Sequence, residues 1–247
     1  MKFSAIALAA TLAAAGATAQ SPSPAFEVAS IKRNATGSLN ANAARVAGDR
    51  YRAENVSLIS LLRVAYAVQE FQIAGHPAWA DVDRFDIDAT MQAGANSRDW
   101  PLMLQRLLAD RFKLAAHRES RDGPIYTLVV GSSGPRLTAA EPSKRANPGG
   151  DFSASPTQIV GTGVSMAEFA MRLSRSIGVA VVDGTGLTGA FDLKLTWPVD
   201  DRFVGRGASA SPTIFTAIQE QLGLRLQAGR GPVDMLVVDR AERPVPD

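Results

Sequence analysis

The sequence predicts an α+β fold built from two tandem similar modules, each a small mixed sheet with two helices packed on one face. Three observations predict it. First, short blocks recur in order: Val56-Ser57-Leu58 returns as Val164-Ser165-Met166, and Phe85-Asp86-Ile87 returns as Phe191-Asp192-Leu193. Gly123-Pro124 with Leu128-Val129-Val130 returns as Gly231-Pro232 with Leu236-Val237-Val238, and the three offsets are 108, 106 and 108 residues. Order and spacing kept together mark two copies of one supersecondary unit. Second, apolar residues within each copy switch between helical spacing and strict alternation. Third, a Pro-, Ser- and Gly-rich stretch at 139–156 reads as a linker between modules at 26–138 and 157–243.

The first nineteen residues read as a secretory signal peptide. Lys2 supplies a positive start, Ser4 to Ala15 an apolar stretch, and Ala17-Thr18-Ala19 a small-x-small cleavage site. The stretch is shorter than the ~20 apolar residues of a spanning helix, and no later segment approaches that length. The expectation is an exported protein, periplasmic or extracellular, with no membrane span in the mature chain.

In the first copy, Ser57 or Asn55 can cap a helix that carries Leu58, Leu61, Leu62 and Ala65. Phe71 to Ala74 and Arg84 to Thr90 are strand candidates, and Pro101 to Asp110 is a second helix with Leu104, Leu107 and Leu108 inward. Phe112 to Arg118 and Ile125 to Val130 read as closing strands around an Asp122-Gly123 turn. The second copy is clearer. Ser165-Met166-Ala167-Glu168 is a capping box, Met166, Phe169, Ala170, Leu173 and Ile177 follow at helical spacing, and Gly178 is the stop. Val179 to Val182 is a short strand, and Ala190 to Trp197 alternates with Phe191, Leu193 and Leu195 on one face. Ser211 and Pro212 open a helix with Ile214, Phe215, Ile218 and Leu222 as its buried stripe. Leu224 to Leu226 and Val233 to Asp239 read as strands closing around a Gly229-Arg230-Gly231 turn. Each unit thus runs helix, strand, strand, helix, strand, strand, with a preceding strand expected.

Lys and Arg number 26 against 24 Asp and Glu, for a formal charge of +2, and the bases are scattered. That pattern lacks the basic stripe that tracks nucleic acid. With no cysteine at all, the fold stands on its core, which a chain of this length can build without disulfides.

Several blocks in fixed order resemble a family of secreted, soil-associated bacterial proteins of unknown function. They are Phe26-Glu27-Val28-Ala29-Ser30-Ile31-Lys32, Arg84-Phe85-Asp86-Ile87, Leu107 to Leu114 with His117-Arg118-Glu119, Val182-Asp183 with Thr185 to Gly189, and Glu220 to Leu224. The resemblance implies extracytoplasmic sensing, since relatives carry this region attached to membrane sensor peptidases of the β-lactam-receptor type. The second copy is also similar to the short N-terminal domain of secretins and TonB-dependent receptors, which implies a periplasmic docking role.

Candidate chemistry is sparse. Gly184-Thr185-Gly186-Leu187-Thr188-Gly189 matches the dinucleotide pattern GxGxxG, but that pattern needs a helix next, and here a strand follows. The glycines are expected to serve a tight turn. His76 and His117 are the two histidines, too few for a zinc site without further ligands, and no GxSxG elbow occurs. Asp81, Asp83, Asp86 and Asp88 form the densest carboxylate run. Asp86 and Asp88 share one strand face, with Phe85 and Ile87 on the other. Asp192 holds the equivalent place in the second copy, which favours a structural role. The expected function is an exported, non-enzymatic binding or sensing protein that engages an envelope protein, peptide or glycan, without cofactor, metal or nucleic acid. The alternative is an extracytoplasmic hydrolase that combines His76 or His117 with the carboxylates of Asp81, Asp83, Asp86 and Asp88. Oligomeric state is left open by the sequence.

Overall fold

A computed structural model describes residues 24–37, 42–92, 94, 96–141, 150–198 and 214–245. The predicted signal peptide and the Ser211-Pro212 cap lie outside the described residues. Mixed helices and sheets make the fold α+β, with strands outnumbering helices among the described elements. The first outer sheet is antiparallel. It orders strands β1 (Phe26–Arg33), β5 (Phe85–Met91), β3 (Arg50–Val56) and β2 (Asn42–Ala47) as β1-β5-β3-β2. A second outer sheet, also antiparallel, orders β7 (Thr138–Ala139), β11 (Phe191–Thr196), β9 (Gln158–Val164) and β8 (Asp151–Ser155) as β7-β11-β9-β8. β7 and β8 thus fall within or at the border of the interval read as a linker, of which 142–149 lie outside the described residues.

Local chemistry accounts for the helices. α1 (Leu58–Ala65) starts where the Ser57 hydroxyl accepts from the Ser60 N–H at 3.1 Å, and it buries Leu58, Ile59, Leu61, Leu62 and Ala65. α4 (Met166–Ile177) has the full capping box. The Ser165 hydroxyl accepts from the Glu168 N–H at 3.2 Å, and the Glu168 carboxylate accepts from the Ser165 N–H at 2.9 Å. Gly178 ends it in the left-handed conformation at φ 74°. The short α2 (Trp79–Val82) is followed by α3 (Trp100–Arg111), which carries proline in its first turn and buries Met103, Leu104, Leu107 and Leu108. α5 (Ile214–Leu222) buries Ala217, Ile218 and Leu222. Phe215, expected in that stripe, is instead 38% exposed. One edge of its ring is satisfied by Tyr126, at a 5.2 Å centroid distance in a T-shaped pair.

The central sheet overturns the predicted closing hairpins. β6 (Ala115–Val130) and β12 (Leu224–Arg240) are each one continuous strand, and they pair antiparallel along their whole length. An Asp-Gly hairpin turn needs positive φ, and none of Gly123, Gly229 and Gly231 has it. The chain runs straight because its backbone groups find partners across the ribbon. The four-residue β10 (Ala180–Asp183) adds parallel to β6 at one end, and β4 (Ile73–Ala74) adds parallel to β12 at the other. The order β10-β6-β12-β4 is therefore a mixed sheet shared by both halves of the chain, whereas the outer sheets are not mixed. Pro124 and Pro232 sit mid-ribbon, beyond the reach of β10 and β4, where each strand is an edge and tolerates proline.

Two cores result, and the ribbon joins them by exchange. The first packs Leu58, Leu62, Phe85, Ile87, Leu104, Leu108 and Phe112 around Leu114, and it also takes Leu236 and Val238 from the far end of β12. The second packs Phe169, Leu173, Leu195, Ile218 and Leu224, and it takes Leu128 from the far end of β6, with Val130 alongside. Each core is thus closed by the last third of the other half's long strand. The ribbon residues reaching either core all carry even numbers, so one ribbon face feeds both, and the odd-numbered face carries His117, Glu119, Arg121 and Arg225.

Candidate functional site

The carboxylates singled out in the sequence lie on the open face of the first outer sheet. Alternation in β5 turns Phe85, Ile87, Ala89 and Met91 into the core and leaves Asp86 and Asp88 on the other side. The register places Ser30 of β1 and Arg52 of β3 on either side of Asp88, and Lys32 beside Asp86. Together with Asn34 and Glu54 these side chains line a shallow cavity of about 420 Å³.

Within it, the two aspartates have different surroundings. Asp88 accepts from Arg52 Nη2 at 2.7 Å and from Arg50 Nη2 at 2.9 and 3.0 Å. The Arg52 hydrogen bond, reinforced by Arg50, holds its carboxyl below the usual range, and the same pairing raises Arg52. Asp88 is therefore a fixed anion at neutral pH, suited to accept hydrogen bonds and poorly suited to donate a proton. Asp86 Oδ1 accepts the Asn55 backbone N–H at 2.8 Å, and the Asn34 amide donates to both of its oxygens at 2.8 and 3.1 Å. Asn55 has φ 54°, a left-handed residue in the irregular stretch of the β3 ladder just before the Ser57 cap. Asp192 repeats the arrangement. Its Oδ1 accepts the Gly163 N–H at 2.8 Å, and Gly163 has φ 66° just before the Ser165 cap. Each carboxylate pins the kink that feeds a strand into a helix.

The other two members of the acidic run sit elsewhere. Asp83, 9% exposed, is clamped between Arg33 Nη2 at 3.2 Å and Arg243 Nε at 2.7 Å, and the Arg243 guanidinium stacks 5.3 Å above Trp79. It fastens the chain beyond β12 to the first half. Asp81 Oδ2 lies 3.4 Å from His76 Nδ1, in ion-pair range but without hydrogen-bond alignment.

His117 is on the odd-numbered ribbon face. Its Nδ1 meets Asp239 Oδ2 at 2.9 Å, and Nε2 lies 3.8 Å from Glu119, which also accepts from Arg121 at 2.9 Å. Hydrogen bonding to Asp239 raises the His117 pKa, and the Arg121 bond lowers that of Glu119. The structure brings neither histidine into hydrogen bond or ion pair with Asp86 or Asp88, and neither lines the cavity beside them. Of the histidine–carboxylate grouping that the hydrolase alternative requires, His76 comes within ion-pair range of Asp81, whereas His117 pairs with Asp239 outside the acidic run.

Sequence reasoning found Asp86 and Asp88 but missed Lys32, Asn34 and Arg52. The available signal was alternation in β1 and β3, which sets Ser30 and Lys32 opposite Ile31, and Arg50 and Arg52 opposite Tyr51. In the Gly184 to Gly189 segment, Thr185 donates from its N–H and hydroxyl to Asp183 Oδ1 at 2.9 and 2.8 Å, and β11 follows. The turn holds itself together with side-chain bonds, as expected of a strand connection.

A second cavity, about 410 Å³, lies at the end of the second outer sheet against Gln158, Thr196 and Trp197. Gln221 of α5 braces this edge by bonding both the N–H and the C=O of Thr196. Among the described residues no group of three or more His, Cys, Asp or Glu could hold a metal ion, and no helix is long and apolar enough to cross a membrane. A family model described as "Protein of unknown function (DUF3738)" matches residues 59–241. No curated protein and no solved structure matches the chain.

Proposed function

The chain belongs to the DUF3738 family, and we propose that this member is an exported, non-enzymatic binding module that takes a polar, hydroxyl-rich ligand such as an envelope glycan on the open face of its first outer sheet. The observation that carries the reading is the cavity where Asp88, held ionised by two arginines, lies among Ser30, Lys32, Asn34, Arg52 and Glu54. Carboxylate acceptors interleaved with ammonium, guanidinium and amide donors suit ligand hydroxyls that both donate and accept. A shallow, solvent-open surface of this kind favours binding over chemistry that needs water excluded.

The reading includes a two-module organisation. It is supported by the matching strand orders of the outer sheets, by the paired Asp86–Asn55 and Asp192–Gly163 bonds, and by the sequence repeat. Among the described residues the charged cavity lies on the first sheet; the second has Lys194 where the first has Asp88, so the copies differ on this face.

An NMR titration of the isotope-labelled protein with soluble envelope-glycan oligomers tests the proposal. Shifts should concentrate at Ser30, Lys32, Arg52, Glu54 and Asp88, and Arg52→Ala should remove them. A titration that leaves those amides unmoved while glycan reaches millimolar concentration would rule the site out. The hydrolase alternative is favoured by two histidine–carboxylate contacts, His76–Asp81 at 3.4 Å and His117–Asp239 at 2.9 Å, of which the second has the form of a base and its orienting acid. Hydrolysis that His117→Ala abolishes would establish it.

A further inference from the structure

We infer that the chain pairs with a second copy of itself through the open edge of β6, in an antiparallel two-fold pairing centred on Ser120. β10 covers β6 at Ile125 to Leu128, and among the described residues no strand lies along the rest of that edge, from Ala115 to Pro124. The backbone there is set to pair. The Leu128 carbonyl turns away from β12 to accept the Gly184 N–H at 2.9 Å. The Asp234 carbonyl, opposite Ser120, turns away from β6 to accept the Gln72 side-chain amide at 2.8 Å. In an antiparallel ladder opposite residues exchange both bonds or neither, and the outward direction recurs at every second residue. Arg118, Ser120 and Asp122 therefore aim both N–H and C=O at the open edge. Pro124 and Pro232 obey the same parity, each with its ring where an outward N–H would stand. The Asp122 carbonyl is met within the chain by Arg230 Nη2 at 3.2 Å, which leaves it a second lone pair.

The side chains select the partner. This edge reads Arg118-Glu119-Ser120-Arg121-Asp122. Laid antiparallel on a copy of itself about Ser120, it sets Arg118 against Asp122 and Glu119 against Arg121. Opposite charges directly across a ladder attract, and like charges repel. Alternation puts Arg118 and Asp122 on one face of the ribbon and Glu119 and Arg121 on the other, so both faces are complementary. Charges on an edge strand ordinarily guard it against pairing. A guard works by setting like sign against like, whereas this segment is neutral and complements its own reverse. The repeat-equivalent segment, Leu226 to Arg230, has Arg230 as its single charge, so the pattern is not a by-product of the duplication. Within one chain these groups make exposed contacts: Arg121 with Glu119 at 2.9 Å, Arg230 with Asp122 at 2.8 Å, and Arg118 with the Tyr66 carbonyl at 2.7 Å. All face solvent, so each can be shared with a second copy.

Sedimentation of the full chain at low salt, from about 1 μM to about 1 mM, should show a reversible monomer–dimer equilibrium, as expected of a contact smaller than a standard interface. Glu119→Arg places like charges across the pairing, and so does Arg121→Glu; each should weaken the dimer by about tenfold or more. An equimolar mixture of these two variants should pair as a heterodimer, and the exchanged chain Glu119→Arg/Arg121→Glu should dimerise with itself again. A loss caused by misfolding would not be rescued by mixing. Ser120→Pro removes an outward N–H at the centre and should abolish the dimer while the edge position spares the fold. The chain has no cysteine of its own, so Ser120→Cys gives a single reporter thiol. A hydrogen-bonded pair holds its Cα atoms about 5.5 Å apart, inside disulfide range, so mild oxidation should crosslink this variant, whereas Gln227→Cys on β12 should stay uncrosslinked. A chain that stays monomeric throughout, a dimer indifferent to both charge reversals, or reversals that mixing does not rescue would overturn the inference.

Discussion

Gly123 and Gly231 stand directly opposite each other in the β6–β12 ladder, and they are also each other's repeat equivalents, 108 residues apart. An antiparallel pair whose centre is its own repeat mate has a local two-fold axis through that point. The packing there follows the same symmetry. A Cβ on Gly123 would lie 3.3 Å from Val233, and one on Gly231 would lie 2.8 Å from Ile125, itself the repeat mate of Val233.

Gly231→Ala should therefore push aside only the flexible Ile125 Cδ1 and destabilise the protein by about 1 kcal/mol at most, the low end of the overpacking range, and Gly123→Ala by less. Chemical denaturation of the double variant Gly231→Ala/Ile125→Val should recover most of the loss. Additive effects of the two changes would show that the contact does not matter.

The exchanged strands predict crossed consequences for core truncation. Leu236→Ala should cost about 2–5 kcal/mol and loosen the first core, where Trp79 and Trp100 pack. Leu128→Ala should cost a similar amount and loosen the second, where Trp197 packs. Hydrogen exchange resolved by segment checks this: the Leu236 variant should lose protection in α1 and α3, more than a hundred residues earlier in the chain.

Removing either kink-pinning carboxylate leaves a backbone N–H without its partner. Asp192→Ala and Asp86→Ala are each expected to cost about 1–3 kcal/mol. Gly163→Ala forces a side chain into the left-handed region at about 1–2 kcal/mol, whereas Gly163→Asn should cost less, because asparagine tolerates that conformation. Thermal melts of the four variants give the order.

Gly75 has φ 76°, and a Cβ there would lie 2.6 Å from the Val238 carbonyl oxygen of the exchanged strand. Gly75→Ala combines strain and clash and should cost at least about 2 kcal/mol. If its melting midpoint matched the parent's, the seating of β12 against β4 would have to be redrawn.

The two titrating ion pairs act at opposite ends of the pH scale. The His117 pKa is raised by Asp239, so its contribution is complete below the ordinary histidine value near 6.5 and fades as pH climbs through the folded value. The Asp88 pKa is lowered, chiefly by Arg52, so its contribution is present above the ordinary aspartate value near 4 and fades as pH drops through the folded one. Both groups are substantially solvated, and the effects should be small. NMR titration of the histidine ring protons should place His117 above 6.5, and Asp239→Asn should bring it back down.

What was legible in the sequence was local. The Ser165 box, the Gly178 stop, the alternation of Phe85 to Met91 and the inward leucines of α3 are each decided within a turn or two of the chain, and the structure has them. The hairpins were misread for a physical reason. A strand that folds back at Gly123 and one that runs on to meet Gly231 satisfy the same local pattern, and Leu128-Val129-Val130 is nearly interchangeable with Leu236-Val237-Val238. Only pairing across a hundred residues separates the two outcomes. The site divides along the same line. The face of Asp86 and Asp88 followed from period two, but Asn34, Arg50 and Arg52 depended on which strands became neighbours.

The crossing of the long strands also sets a clock on synthesis. A ribosome adding ~5–20 residues per second needs several seconds or more after making Leu114 before Leu236 and Val238 exist, and until then the first core lacks its lid. The nascent first half must wait with apolar surface showing, or close provisionally on its own Leu128-Val129-Val130 and later let go. On either route the first core is finished late, by a segment that the second half delivers.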